Sequence, residues 1–251
     1  MHTDKFYNTV DSLLKLQESE KALKLADSFA DAIQKTHLDT SEQYFKALMK
    51  LGPAYNRIHE YNQAVTFLQK ALKITKEMKE LEIALKCEMM YHLGEAFYGL
   101  REFEKSESVL VEEIRLRKEA GIYVTLEGLR TVSKLADATR IPCKYHKSDS
   151  LQHEALRLGK LIYGDENYRI GDIYRDLGFM ALVLGDFIRA IDNYRKALEL
   201  LEKNPDSQKR FRMMSDLYSR MGRIFEIVGQ YDEAEICLDS ALLLFDLSGD
   251  R

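Results

Sequence analysis

The 251-residue sequence has no tryptophan, only three prolines and only 13 glycines. So few breakers among many Ala, Leu, Glu, Lys and Arg favour an all-helical protein. Cysteine is equally scarce: Cys87, Cys143 and Cys237 are odd in number and far apart. They make no disulfide framework, and a reducing cytoplasm is the simplest home for them. Positive charge is not in surplus, with 37 Lys and Arg against 41 Asp and Glu and a net charge of −4. Nucleic-acid binders ordinarily carry a basic excess, so no nucleic-acid partner is expected. Long apolar runs are missing too, since a spanning helix needs ~18 consecutive apolar residues. The run Leu177–Leu184 is far shorter and is edged by Arg175, Asp176 and Asp186. The first residues, "MHTDKFYNTV", hold no apolar signal core. Neither membrane insertion nor a secretory leader is therefore expected.

Cofactor and catalytic signatures are also lacking. No GxxxxGK[ST] phosphate loop occurs, and no GxGxxG follows a strand, so no cofactor is expected. Cys143, His146 and His153 form the most metal-like cluster. A structural zinc site wants four ligands in paired spacings, and no second pair follows, so no metal is expected. Cys87 and His92 would need a third orienting group and an oxyanion pocket to act as a nucleophilic pair. The expectation is a protein that is not an enzyme.

What is present is a repeat. Taking Gly178 as marker, successive shifts of 42 residues fall on Ala136, Gly94, Gly52 and Val10, and Gly222 lies 44 residues ahead. The two extra residues sit near "NPDSQKR", where Pro205 makes an insertion easy to place. Ala190 aligns with Ala234, Ser148, Ser106, Ala64 and Ala22. Ala197 aligns with Ala241, Ala155, Glu113, Ala71 and Phe29. Phe187 aligns with Tyr231, Tyr145, Phe103 and Tyr61. Six units of this period cover the chain, at about 3–44, 45–86, 87–128, 129–170, 171–214 and 215–251. Each reads as a helix with apolar residues three and four apart, a short turn, and a second helix through the small markers. One such hairpin cannot bury its apolar face alone, so the units must stack into a single array.

The segments "LGPAYNRIHEYNQAVTFLQKAL", "LGFMALVLGDFIRAIDNYRKAL" and "MGRIFEIVGQYDEAEICLDSAL" resemble tetratricopeptide repeats. The long period resembles the variety found in kinesin light chains and Pins-type polarity scaffolds. "LIYGDENYRIGDIYRDLG" is similar to the Gly-Asp/Glu-x-His-Pro linker of kinesin light chains, with Asn167 and Tyr168 in place of His and Pro. The resemblance implies a right-handed α-α superhelix whose first helices line a concave groove and whose second helices form the convex face. In the second and third units the groove positions are then Lys46, Met49, Lys50 and Pro53, and Glu88, Tyr91, His92 and Glu95. In the fourth they are Arg130, Ser133, Lys134, Asp137 and Arg140. In the fifth and sixth they are Asp172, Arg175, Asp176 and Phe179, and Asp216, Ser219, Arg220 and Arg223.

Charges mixed with a few aromatics suit an extended or helical peptide. The basic members, Lys46, Lys50, Arg130, Lys134, Arg140, Arg175, Arg220 and Arg223, suggest a ligand with carboxylates. The asparagine positions of chaperone-binding tetratricopeptide clamps hold Met49, Tyr91, Pro53 and Glu95 here, so no chaperone clamp is expected. Pro53 follows Gly52 inside a helix and should remove the hydrogen bond to the Met49 carbonyl. The last unit ends at "ALLLFDLSGDR", where Leu242, Leu243, Leu244 and Phe245 would leave apolar surface. Such a surface marks either continuation in a longer chain or an interface, including self-association. The expected function is a non-catalytic cytoplasmic scaffold or adaptor holding a protein or peptide. The alternative is a regulatory domain of a larger enzyme or signalling protein.

Overall fold

The structure is a computed structural model that describes residues 42–75 and 83–249, together with scattered residues between 9 and 32. The first expected unit, 3–44, lies mostly outside the described residues. Every regular element among the described residues is helical, and the fold is the expected all-α helical-repeat type. The helices are α1 Glu42–Arg57, α2 Tyr61–Thr75, α3 Ile83–Gly99, α4 Phe103–Glu119 and α5 Leu126–Arg140. They continue as α6 Tyr145–Tyr163, α7 Gly171–Val183, α8 Phe187–Leu201, α9 Ser207–Ile227 and α10 Tyr231–Ser248. A 3-10 turn, Tyr168–Ile170, leads into α7. The chain divides into two compact units, Met1–Tyr123 with α1 to α4 and Val124–Arg251 with α5 to α10.

Consecutive helices pair as antiparallel hairpins because each tight turn has the same backbone solution. His59, Arg101, Cys143, Gly185 and Gly229 occupy one register and all have positive φ, between 63 and 80°. In every case two backbone bonds close the helix. His59 N–H donates to the Asn56 carbonyl (3.1 Å) and Glu60 N–H reaches back to Tyr55 (2.9 Å). Gly185 N–H bonds Leu182 (3.0 Å) and Asp186 N–H bonds Ala181 (2.9 Å). This is the Schellman closure, which satisfies carbonyls left over at a helix end and needs a left-handed residue just past it. Glycine supplies that conformation freely, whereas His59, Arg101 and Cys143 adopt it against a steric penalty.

Within a hairpin the small markers let two backbones approach. A Cβ on Gly178 would stand 2.4 and 2.5 Å from ring carbons of Tyr194, and one on Gly52 equally close to Leu68. Three apparent irregularities of the repeat find partners in the structure. Ser106, standing where other units have alanine, donates its hydroxyl to the Gly94 carbonyl at 2.7 Å, and Ser148 donates to Ala136 at 2.9 Å. Glu113 replaces another alanine and is wholly buried, but its carboxylate pairs with Arg117 one turn on. The α1 helix continues through Pro53 to Arg57.

The core of the first unit gathers Phe45, Leu48, Leu51, Tyr55, Phe67 and Leu68 with Met89, Leu93 and Phe97 from α3. That of the second gathers Ala181, Tyr194, Leu198, Leu217, Met221 and Phe225. Met49 belongs to the first core and is only 9% exposed, and Tyr91 is equally buried. Both were expected to face the groove. They sit instead on the edge of the first-helix stripe that turns inward, where a large apolar side chain gains more from burial than from solvent.

Candidate peptide-binding pocket

In the second unit the first helices α5, α7 and α9 and the second helix α6 enclose a pocket of about 310 Å³. Its walls are Asp137 and Arg140 from the last turns of α5, Arg175, Asp176, Phe179 and Met180 from α7, and Asp216 and Arg220 from α9. Gln152 of α6 completes the lining. Residues three and four apart share one helix face, which is why α7 delivers Arg175, Asp176 and Phe179 together.

The charges are matched pair by pair. Arg140 meets Asp137 at 3.5 Å, Arg220 meets Asp216 at 2.8 Å, and Arg175 meets both Asp172 and Asp176 at 3.0 Å. The Phe179 ring lies between two guanidinium groups, Arg140 at 5.3 Å and Arg220 at 5.6 Å from its centroid. Each contact is a cation–π attraction, and together they hold arginines of two helices, α5 and α9, around a ring carried by α7. The expected basic character is therefore absent from this pocket. Three aspartates offset its three arginines, because the register that supplies arginine also supplies Asp137, Asp176 and Asp216.

Burial raises the Asp176 carboxyl above the ordinary aspartate value; Arg175 opposes this, while Asp137 and Asp172 add to it. Burial pulls Arg175 down, yet Asp176 and Asp172 outweigh it and hold its guanidinium firmly charged. Beneath the arginines lies Tyr194, wholly buried. Its hydroxyl has no hydrogen-bond partner, and burial pushes the phenol up against the opposing field of Arg220.

Of the residues expected to bind, the pocket brings together Asp137, Arg140, Arg175, Phe179 and Arg220. Arg130 and Arg223 are exposed and Lys134 half-buried on the same helices, but none of them lines it. In the first unit Lys50 is exposed and Pro53 half-buried, and the side chain of Lys46 lies outside the described residues. His92 and Glu95 are tied together at 3.1 Å, and the Asn56 amide donates to the His92 carbonyl at 2.8 Å and to Glu95 at 3.4 Å. Gln152 and Met180 are the lining residues that sequence reasoning missed. A signal for Gln152 was available, because that register holds Leu68, Leu110, Tyr194 and Leu238 in the other hairpins.

Leu242, Leu243 and Phe245 on α10 are 63, 63 and 47% exposed. Among the described residues, no group of three His, Cys, Asp or Glu side chains is placed to hold a metal ion. None of the described helices is long and apolar enough to cross a membrane.

This architecture is an all-helical array of helix-turn-helix repeats, similar to tetratricopeptide arrays. No family model matches the chain. It is 25% identical over 228 residues to the mouse (Mus musculus) Tetratricopeptide repeat protein 21A, a match covering 85% of this chain and 16% of that protein. It is 22% identical over 191 residues to Protein KINESIN LIGHT CHAIN-RELATED 3 of Arabidopsis thaliana, covering 72% of this chain and 28% of the relative. The chain thus spans less than a third of the length of these curated relatives. Among solved structures, BtubC (BKLC) from P. vanneervenii superposes with a TM-score of 0.73 at 15% identity, covering 100% of this chain and 94% of that one. The chain therefore resembles tetratricopeptide proteins, and among them those with kinesin light chain-like repeats.

Proposed function

We propose that the chain is a non-catalytic interaction scaffold of six repeats, which holds a segment of a partner protein in the pocket of its second unit. The observation that carries this reading is the pocket itself. Its walls are the outward polar faces of α5, α7 and α9, while the glycine and alanine markers are spent on packing. Pockets that hold peptides combine an aromatic floor with a few placed polar groups, and Phe179 with its flanking arginines fits that description. Carboxylates of a partner would reach these arginines by exchanging with Asp137, Asp172 or Asp216, which makes an acidic segment the ionic variant of the reading. The three free cysteines suit a reducing, cytoplasmic setting.

Because the curated relatives are several times longer, the same chain also fits as the partner-binding part of a larger protein. The exposed Leu242, Leu243 and Phe245 support self-association through the last hairpin.

The test is quantitative affinity capture with three immobilised versions of the chain. The wild type is compared with the double variant Arg140→Glu, Arg220→Glu and with Arg195→Glu on the outer helix α8. A partner held in the pocket is lost by the double variant and kept by the α8 control. Partners retained equally by all three would refute the reading.

A further inference from the structure

The five hairpins share a register in which the second helix sends one residue toward the small marker of the first. In three of them that residue is leucine: Leu68, Leu110 and Leu238. In the two hairpins beneath the pocket it is polar, Gln152 and Tyr194. Gln152 is 4% exposed and lines the pocket, so what remains open of it is presented there. Tyr194 is wholly buried below the lining, under Arg220, and is not itself part of the wall. A nearly buried amide at a pocket wall calls for a hydrogen-bonding partner. Leucine, which fills the same register in three other hairpins, would pack there without presenting a polar group.

The ions around them narrow the chemistry. Asp137, Asp176 and Asp216 already pair with Arg140, Arg175 and Arg220. A charged ligand must break one of these pairs, whereas a neutral polar ligand need not. A carboxamide offers two donors and an acceptor in one plane, and its natural complement is another amide, which exchanges N–H···O=C bonds in both directions. We propose that the pocket recognises an amide group of the partner, with Gln152 as its hydrogen-bonding partner. This rests on the peptide-holding reading above. The amide could belong to an Asn or Gln side chain or to the partner's main chain.

The test titrates the full ¹⁵N-labelled chain with three small probes: N-acetyl-glutamine methylamide, N-acetyl-alanine methylamide and N-acetyl-glutamate methylamide. The readout is the side-chain NH₂ signal of Gln152, assigned by its loss in Gln152→Leu. A saturable shift of that signal is expected in wild type, and the backbone amides of Phe179 and Met180, followed in both proteins, should report about tenfold weaker affinity in Gln152→Leu. A glutamine probe at least threefold tighter than the alanine probe assigns a side-chain amide, and equal affinities assign the main chain. Both results support the proposal. It is overturned if the glutamate probe binds most tightly, if Gln152→Leu binds like wild type, or if no probe moves the Gln152 signal. Gln152→Leu should melt no lower than wild type, so lost binding would not be lost folding. In the capture experiment, a partner lost by Arg140→Glu, Arg220→Glu but kept by Gln152→Leu overturns this inference while the scaffold reading stands. A partner kept by both overturns both.

Discussion

Replacing Gly178 by alanine sets two effects against each other. Alanine is the better helix former by about 1 kcal/mol, so on an open helix face the change would stabilise. At this site the new Cβ would stand 2.4 and 2.5 Å from Tyr194 ring carbons and 3.1 Å from Cζ. Carbon atoms prefer ~3.5–4.0 Å, so something must move by about an ångström. Tyr194 cannot swing away, because it is wholly buried in a core with Ala190, Ala197 and Met221. Overpacking of this kind costs about 1–3 kcal/mol. With the propensity gain subtracted, Gly178→Ala should destabilise the second unit by about 1–2 kcal/mol.

Gly222 supplies the internal control. Its Cβ would meet Leu238 at 2.9 and 3.0 Å, but Leu238 is 37% exposed and can turn outward. Gly222→Ala should therefore be within about 0.5 kcal/mol of neutral. Urea unfolding followed by circular dichroism reads the first difference. Amide exchange along α7 localises it, since stacked repeats need not unfold in one step. The decisive comparison is Gly178→Ala in a Tyr194→Ala background. With the ring gone, the same substitution should stabilise by about 1 kcal/mol. Continued destabilisation there, or a Gly178→Ala protein as stable as wild type, would refute the close-approach argument.

The turn register predicts that Arg101→Gly stabilises by about 0.5–1 kcal/mol and that Gly185→Ala destabilises by about 1 kcal/mol, measured by thermal melting. Arg101→Gly lowering the melting temperature would contradict the left-handed assignment. For Asp176 the raised folded pKa fixes the sign. The stability it contributes is present below the ordinary carboxylate pKa, near 3.9, and is lost as pH rises through the higher folded value. Asp176→Asn should remove that pH-dependent loss and be at least as stable as wild type at pH 7, with Asp172 still pairing Arg175. A wild-type chain whose stability instead rises relative to Asp176→Asn across that window would reverse the argument. If α10 is a self-association surface, light scattering should show mass increasing with concentration in wild type and a constant monomer in Leu243→Glu. A wild type that stays monomeric at millimolar concentration would exclude it.

The fold was legible because its determinants are local and repeated. Glycine and alanine markers at a fixed period announce where helices cross, and the aromatic after each turn announces the hairpin. What the periodicity could not supply was the conformation of the turn residue. "LGDF" and "VGQY" place glycine at the left-handed position, but "IHEY", "LREF" and "PCKY" hide the same backbone behind His59, Arg101 and Cys143. Five consecutive Schellman closures tolerate three non-glycine residues because the hairpin packing on either side over-determines the turn. Register also overstated the groove. Counting along a helix gave Met49 and Tyr91 the same status as Lys50 and His92, although burial separates them by a fraction of a turn.

The pocket was half legible, for an instructive reason. Residues on the first helices follow from counting, so Arg140, Arg175, Phe179 and Arg220 were reachable from the sequence. Their neutralisation by aspartate was not, because pairing depends on which rotamers converge across three helices. Gln152 was hidden by the assumption that second helices only pack. Yet its hairpin is the one where alanine, Ala136, stands at the glycine marker and glutamine stands where three others have leucine. The two departures belong together. A polar residue that must reach the pocket cannot fill the space over the marker as leucine does, and a Cβ at Ala136 takes up part of that space. The unit that matches its relatives least is thus the one whose departures face the pocket. In an array of near-identical hairpins this is expected, since a position that must bind something cannot also keep the residue that packing alone would choose.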